Sequence, residues 1–408
     1  MALIVQKFGG SSVANTERLR NVADIVTSTY KQGNDVIVVV SAQGDTTDDL
    51  ISKAAEITSH PSKREMDVLL ATGEQASMAL LAMTISEMGF PVVSLAAWQV
   101  QINTDSTYGA ARIRSVASTR IRNELDQKKI IIVAGFQGVN RHDDITTLGR
   151  GGSDTTAVAI AVATRADLCQ IYTDVDGVYT ADPRLVKTAR KLDEITYDEM
   201  LELASLGAQV LHNRSVEMAK RYNIALEVIS SLTRKPGTIV KEVSNTMEKM
   251  LISGVAKDNN CAMVSLIDLP DVPGIAFKTF SLLSKGRINV DVIVQSVGNI
   301  TGRQDISFTV SLANLDETLA LLEDSKDIIG YNDLYVNSDI SKVSIVGAGM
   351  ANNPGIAAGM FEALYNEQIN IIMISTSEIK VSVLIDRASA DRAVSAIHDR
   401  FFRDTNAR

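Results

Sequence analysis

Apolar positions along the chain follow two alternating periods. Residues 3–8, 35–41, 91–95, 130–136 and 168–174 are short runs rich in β-branched residues, the mark of buried strands. Between them lie stretches of helical period, such as 15–31, where Leu19, Val22, Ala23, Val26 and Tyr30 share one face. This alternation predicts an α/β domain with a mainly parallel sheet, in which ligands gather at the carboxyl ends of the strands. Lys7, Ser41 and Asp174 all fall at such ends.

Near residue 236 the pattern changes. Lys235-Pro236-Gly237-Thr238 is a turn signal and a polar stretch, Lys241 to Lys249, follows it, so a first domain is expected over 1–245. Beyond it the chain repeats itself in fixed register. Pro273-Gly274-Ile275-Ala276 returns at 354–357, Phe280 as Phe361, Leu283 as Leu364, and Ile288-Asn289-Val290 as Ile369-Asn370-Ile371. Each copy reads strand, Pro-Gly turn, helix, strand, strand, helix, which predicts two small βαββαβ modules. The second copy runs out at its last helix, 388–402, before a final strand, while an unassigned strand, Leu251 to Ala256, precedes the first copy. Joining the two nests one module, 262–337, inside another made of 251–261 and 338–408.

Composition narrows the partners. The chain has 408 residues, 45% hydrophobic and 22% charged, enough for two or three domains with sizeable cores. A net charge of −9 argues against a nucleic-acid partner, although a basic pocket for a single nucleotide stays compatible. Cys169 and Cys261 sit in apolar sequence without Cys-x-x-Cys spacing and read as reduced core residues. With no leader pattern and no apolar run near the ~20 residues of a membrane span, a cytoplasmic protein without membrane partners is expected. His60, His142, His212 and His398 lack metal spacing and read as surface or helix residues.

The candidate chemistry begins at Lys7-Phe-Gly-Gly-Ser-Ser12. A strand runs into a lysine and two glycines, then into a helix start, which lets backbone N–H groups and a mobile ammonium converge on a phosphate. No Walker A run and no protein-kinase motif set occurs. A second anion-facing helix start is Leu148-Gly-Arg-Gly-Gly-Ser-Asp-Thr-Thr156. Capping explains Ser153 or Asp154, but it requires neither Arg150 nor the glycine pair, Gly151 and Gly152. Arg150 can hold a carboxylate in bidentate fashion, and Asp154 can fix the Lys7 ammonium. A third motif is Tyr172-Thr-Asp-Val-Asp-Gly-Val-Tyr-Thr-Ala-Asp-Pro-Arg184. It fails the EF-hand spacing and reads as a nucleotide loop, with Tyr179 against a base or ribose and Arg184 toward phosphates, and Lys235 with Gly237 and Thr238 completing that pocket. Ser41-Ala-Gln-Gly-Asp-Thr-Thr47 and Glu74, expected at a helix start, belong to the substrate side. Gly347-Ala-Gly349 resembles a dinucleotide fingerprint, but Asn352 replaces its third glycine, which disfavours a nicotinamide site.

Taken together, the Lys7–Ser12, Ser41–Thr47, Leu148–Thr156 and Tyr172–Arg184 motifs resemble those of the aspartokinase family within the amino-acid-kinase superfamily, and the resemblance covers the whole chain. It implies a three-layer sandwich followed by two ferredoxin-like ACT modules that bind amino acids. It also implies the reaction of ATP, with Mg²⁺, and L-aspartate to give ADP and 4-phospho-L-aspartate, the first step toward lysine, threonine and methionine. Carried over by motif, Lys7, Glu74 and Asp154 take the catalytic roles. Lys7, Phe8, Gly9, Gly10, Ser41, Thr173, Asp174, Tyr179, Arg184 and Lys235 bind ATP. Asp45, Thr46, Thr47, Glu74, Arg150, Gly151, Gly152 and Ser153 bind aspartate. Asp271, Pro273, Gly274, Ile275, Asp291, Gln295, Asn370 and Ile371 match an effector pocket for lysine, threonine or both, between modules of two subunits of a homodimer or larger oligomer. No protein-held metal is implied. Gln43 stands where the family usually has methionine. Two other readings stay open: a relative that phosphorylates glutamate, N-acetylglutamate or a nucleoside monophosphate, and a catalytically silent amino-acid sensor.

Overall fold

The computed structural model describes residues 2–206, 211–233, 235–242, 251–297, 302–350 and 353–403; Asn352 lies outside them. The chain divides into two compact units, residues 1–179 with 191–248, and residues 180–190 with 249–408.

The first unit is built on an eight-stranded sheet. Its order is Glu194–Thr196, Thr238–Lys241, Leu226–Ser230, Leu168–Thr173, Leu3–Phe8, Asp35–Val40, Ile130–Ala134 and Val92–Leu95. Every neighbouring pair is parallel except Leu226–Ser230 with Thr238–Lys241. The central strands carry apolar residues on both faces because helices cover both; Val36 to Val40 and Ile130 to Ala134 are fully buried. Its helices run in chain order α1 (Thr16–Lys31), α2 (Thr46–Ile57), α3 (Lys63–Glu87), α4 (Thr119–Asp126), α5 (Gly152–Thr164), α6 (Tyr197–Ser205) and α7 (Asn213–Tyr222). On one face α1 and α3 pack Val22, Val26, Leu81 and Ile85 against Phe8, Val38, Ile132 and Tyr172. The other face receives the apolar α5 (Gly152–Thr164). A smaller sheet of Ile113–Val116, Ile102–Thr104, Gln137–Val139 and Ile145–Thr147 completes the unit.

Three sequence expectations change here. The turn at Lys235–Thr238 does not end the domain; it is a hairpin between two strands of the central sheet, and a Cβ at Gly237 would stand 2.0 Å from the Val228 carbonyl oxygen. Glu74 is not at a helix start, because 63–87 is one continuous helix through Gly73, where a Cβ would meet Ala42 Cβ at 2.8 Å. That helix is also long and apolar enough by composition to cross a membrane, contrary to the expectation of no such run. Its face of Asp67, Ala71, Glu74, Ser77, Leu81 and Ile85 is buried, as in the core helix of a globular unit.

In the second unit the strands Ala262–Pro270, Ile293–Gln295, Arg303–Val310 and Asp333–Asn337 form one four-stranded antiparallel sheet with helices Ile275–Lys285 and Leu315–Asp324. Ile340–Val346, Met373–Thr376 and Lys380–Asp386 form a second, with helices Ile356–Asn366 and Ala390–Phe402. Gly254–Asp258 pairs antiparallel with Ile340–Val346, the position that Asp333–Asn337 takes beside Ala262–Pro270 in the first sheet. Gly274 (φ 94°) and Gly355 (φ 99°) open equivalent helices, as the repeat requires.

One segment crosses the expected division at 245. Thr180–Arg190 belongs to the second unit, with Ala181 and Val186 in its core. Thr180 is held there by Val255 N–H, which donates to its carbonyl at 2.7 Å, and by His398, whose Nε2 lies 2.9 Å from Thr180 Oγ1. His398 is therefore a buried residue, and burial pushes its pKa down.

Candidate active site

Side chains alternate along the strand Leu3–Phe8, so Phe8 turns into the α1–α3 layer and stacks on Tyr172 with ring centroids 4.5 Å apart. The Phe8 ring, expected among the ATP-binding residues, is thus fully buried in the core. Lys7 turns the other way, toward the start of α5, where its Nζ lies 2.7 Å from Asp154 Oδ1; both side chains are nearly buried, at 13% and 12% exposure. Cys169 lies beneath this pair, fully buried, and burial pushes its thiol pKa well above the usual range.

The glycines after Lys7 do not open an α-helix. Gly10–Val13 is one 3₁₀ turn, and α1 begins only at Thr16, capped by Asn15 Oδ1 accepting the Arg18 N–H. The helix dipole at this site therefore comes from α5, whose first residues follow the left-handed Gly151 (φ 66°). Gly10 serves close packing: a Cβ there would stand 2.8 Å from the Ala42 carbonyl oxygen.

The loop after Asp35–Val40 wraps this turn. Ser41 N–H donates to Phe8 O, Gly44 N–H to Gly10 O, and the Gln43 amide to Val13 O at 2.7 Å, which gives the unusual Gln43 a structural task. Thr46 Oγ1 donates to Gln43 O; Thr47 is half-buried and Asp45 exposed. Beneath the loop, Ala42 N–H donates to Glu74 Oε1 at 3.0 Å. Glu74 Oε2 is buried without a hydrogen-bond partner, and burial pushes the Glu74 pKa up to about 7 against the pull of the Ala42 bond. A half-satisfied buried carboxylate is a receptor for a cation.

Ser153 comes to the same edge. A Cβ at Gly135 would meet Ser153 Oγ at 2.7 Å and Val40 O at 2.9 Å, so Ser153 stands directly over two strand ends. Gly152 packs on Phe136, which is itself left-handed (φ 66°), a conformation that costs a bulky residue about 1–3 kcal/mol. Arg150 is exposed, and among the described residues it makes no ion pair.

Of the nucleotide candidates, Thr173 and Asp174 lie where Leu168–Thr173 ends, with Thr173 Oγ1 donating to Asp174 at 3.1 Å. The Tyr179 hydroxyl donates to Asp176 at 2.7 Å, a bond that raises its pKa. Val178 N–H donates to Thr238 Oγ1, which donates to Leu192 O, so the loop is sewn to the 235–238 hairpin that carries the exposed Lys235. Arg184 lies in the segment of the other unit, its guanidinium on Asp182 at 2.8 Å. Among the effector candidates, Asp291 pairs with the buried Lys342 of the other module. Asp271 N–H donates to Gly302 O, and Asp271, Pro273, Gly274, Gln295 and Asn370 are exposed while Ile275 is buried and Ile371 half-buried. Among the described residues no hydrogen bond joins the 271–275 turn to Asn370 or Ile371.

Sequence reasoning missed Asp67, Phe136 and Arg214, which all touch segments that carry the site. A lone aspartate inside the apolar run Met66-Asp-Val-Leu-Leu70, seven residues before Glu74, was the available signal for the first.

The amino acid kinase family profile matches residues 2–230, and an ACT domain profile matches residues 343–401. An aspartokinase of Bacillus sp. (strain MGA3) is 50% identical over 98% of this chain and 97% of that one. The crystal structure of E. coli aspartokinase III in complex with aspartate and ADP, in its R-state, is 26% identical, covers 98% of this chain and 100% of that one, and has a TM-score of 0.80. The same protein in complex with lysine and aspartate, in its T-state, has a TM-score of 0.76 at 26% identity, covering 98% and 99% of the two chains.

Proposed function

Because the chain belongs to the amino acid kinase family, among its aspartokinases, and is a phosphotransferase, we propose that it moves the γ-phosphoryl group of ATP to the side-chain carboxylate of L-aspartate. The products are ADP and 4-phospho-L-aspartate, the first intermediate toward lysine, threonine and methionine. The observation that carries this reading is the Lys7–Asp154 pair at the α5 N-terminus, with the half-satisfied Glu74 and the unpaired Arg150 on adjoining segments.

The aspartate side chain, with a reference pKa of about 3.9, is ionised at neutral pH and attacks without a base. One P–O bond to the leaving ADP breaks as one forms to a carboxylate oxygen, so the protein's work is alignment and neutralisation of charge. Lys7 meets the charge that develops on the transferred group, Asp154 holds Lys7 in place, and the first N–H groups of α5 add their dipole. Arg150 takes the substrate α-carboxylate and Glu74 its ammonium, with Ser153 and Thr47 supplying hydroxyls and Gly151 and Gly152 backbone. Asp45 and Thr46 complete the aspartate side. Gly9, Gly10, Ser41, Thr173, Asp174, Tyr179 and Lys235 bind the nucleotide. In this reading Mg²⁺ is carried on the ATP phosphates. Bound there, it neutralises phosphate charge.

The two βαββαβ modules, 262–337 and 251–261 with 338–408, serve in this reading as ACT regulatory modules that bind lysine, threonine or both across a homodimer or larger assembly in the cytoplasm. Support comes from the relative solved with lysine. ADP release with Mg²⁺-ATP tests the catalytic reading when L-aspartate is run beside L-glutamate, N-acetylglutamate and UMP. Turnover with aspartate alone is expected; turnover only with another acceptor overturns it.

A further inference from the structure

The segment that delivers Arg150 is anchored to an unusual degree. Four consecutive backbone groups ahead of it are each taken by a different part of the first unit. Thr147 N–H donates to Asp67 Oδ2 at 2.9 Å, and Thr147 O accepts from Ala111 N–H at 2.9 Å. Leu148 N–H donates to Phe136 O at 2.8 Å, and Leu148 O accepts from Arg214 Nη1 at 2.7 Å. Two left-handed glycines, Gly149 (φ 75°) and Gly151 (φ 66°), then bracket Arg150. A fixed rail thus ends in a short arm that carries one guanidinium.

The two ends of the rail are gripped by opposite charges. Asp67 is only 1% exposed, and its carboxylate accepts from Thr147 N–H, from Thr147 Oγ1 at 2.7 Å, and from Gly109 N–H at 3.0 Å to each oxygen. Arg214, from α7 (Asn213–Tyr222), bridges Leu148 O and Ala111 O, the latter at 2.9 Å. Asp67 also stands seven residues before Glu74 on α3, two helical turns along the same buried face. One rigid helix therefore carries both Glu74 and the anchor of the Arg150 segment.

We propose that Asp67, with Arg214 as its counterpart, is a positioning residue for substrate recognition: it fixes the Arg150 arm relative to Glu74 and so sets the spacing at which the α-carboxylate and α-ammonium of an amino acid are read together. This rests on the reading that Arg150 and Glu74 bind those groups. The alternative is a carboxylate that only stabilises the fold, and the two differ in what a variant does. Asp67→Asn keeps the shape but turns an acceptor into a donor facing N–H groups, and Thr147→Val deletes one bond from the other side.

The test is steady-state kinetics on the full chain for Asp67→Asn, Thr147→Val, Arg150→Ala and the double variant Asp67→Asn/Arg150→Ala. The expected result is that each of the first two raises KM for L-aspartate about tenfold while KM for ATP and kcat stay within about twofold, and that Asp67→Asn adds nothing further once Arg150 is gone. Additive effects in the double variant, an equal rise in KM for ATP, or an unchanged KM for aspartate overturns the proposal. Should Arg150→Ala itself leave KM for aspartate unchanged, the reading of the substrate site fails first; if it raises KM and Asp67→Asn does not, only the positioning role is lost.

Discussion

Lys7 Nζ stands 2.7 Å from Asp154 Oδ1, so a strand end and a helix start share one ion pair, which the proposed reaction places beside the transferred phosphoryl group. With both side chains nearly buried, each holds the other in a single direction, and the ammonium reaches the site without the cost of ordering a free lysine. Replacing Lys7 by Ala is expected to lower kcat by ~10²-fold or more with KM for aspartate little changed, as for loss of a preorganised charge donor. Asp154→Asn is expected to lower kcat as well, and the double variant to be no slower than Lys7→Ala alone, because the two act as a unit. Initial-rate measurements at saturating substrates check both; normal turnover by Lys7→Ala contradicts them.

Glu74 gives the account a pH dependence. Burial holds its pKa near 7 instead of the usual 4.5, so below that pH the folded chain carries it neutral. An ionised Glu74 is the form that attracts a substrate ammonium, so kcat/KM for aspartate is expected to rise as pH climbs through about 7 in the free enzyme. The stability sign is opposite. A folded-state pKa raised above the unfolded value gives stability that is present in full below 4.5 and lost as pH rises through about 7, on the order of 3 kcal/mol in total. Glu74→Gln is therefore expected to raise the Tm measured without substrate at pH 8, to flatten the Tm profile between pH 5 and 8, and to raise KM for aspartate. A steeper Tm profile in the variant contradicts the assignment.

Gly135 tests the approach of Ser153. A methyl group there would fall 2.7 Å from Ser153 Oγ and 2.9 Å from the Val40 carbonyl, and the carbonyl belongs to a buried strand that cannot give way. Gly135→Ala is expected to push the start of α5 outward, raising KM for aspartate severalfold and destabilising the fold by about 1–3 kcal/mol, as overpacking does. Urea unfolding and initial rates measure the two effects. A variant as active and stable as the parent would show that Ser153 does not need this proximity.

The second unit makes its own prediction. If its modules bind lysine or threonine, millimolar concentrations of one or both are expected to lower the initial rate and raise Tm together, since an effector acts only through different affinities for two states. Flat rates and an unchanged Tm in both amino acids, alone and combined, contradict the regulatory reading.

Much of this was legible in the sequence because strong local signals coincided with the fold. The β-branched runs became strands of the large sheet because both faces of a covered parallel sheet demand apolar residues, and the repeat around Pro273 and Pro354 announced two modules because each needs the same left-handed glycine at its helix start. The motif at 148–156 placed the start of α5 for the same reason. What was hidden depends on tertiary contact. Glu74 looked like a first-turn residue because Gly73 suggests a break, and only the crowding against Ala42 explains a glycine inside a 25-residue helix. Gly9 and Gly10 looked like a helix start because a 3₁₀ turn has no sequence period of its own. Nor does anything local to Thr180–Arg190 reveal that Thr180 is claimed by Val255 and His398, both far along the chain.

Trapping the product shows whether the accepted group is the side-chain carboxylate of aspartate. An acyl phosphate reacts with hydroxylamine to give a hydroxamate and inorganic phosphate, whereas a phosphate ester or simple ATP hydrolysis gives none. With Mg²⁺-ATP, L-aspartate and hydroxylamine, aspartate β-hydroxamate is expected in one-to-one ratio with ADP, forming ~10²-fold or more slowly with the Lys7→Ala variant. ADP formed without hydroxamate, or hydroxamate formed equally from glutamate, would contradict it.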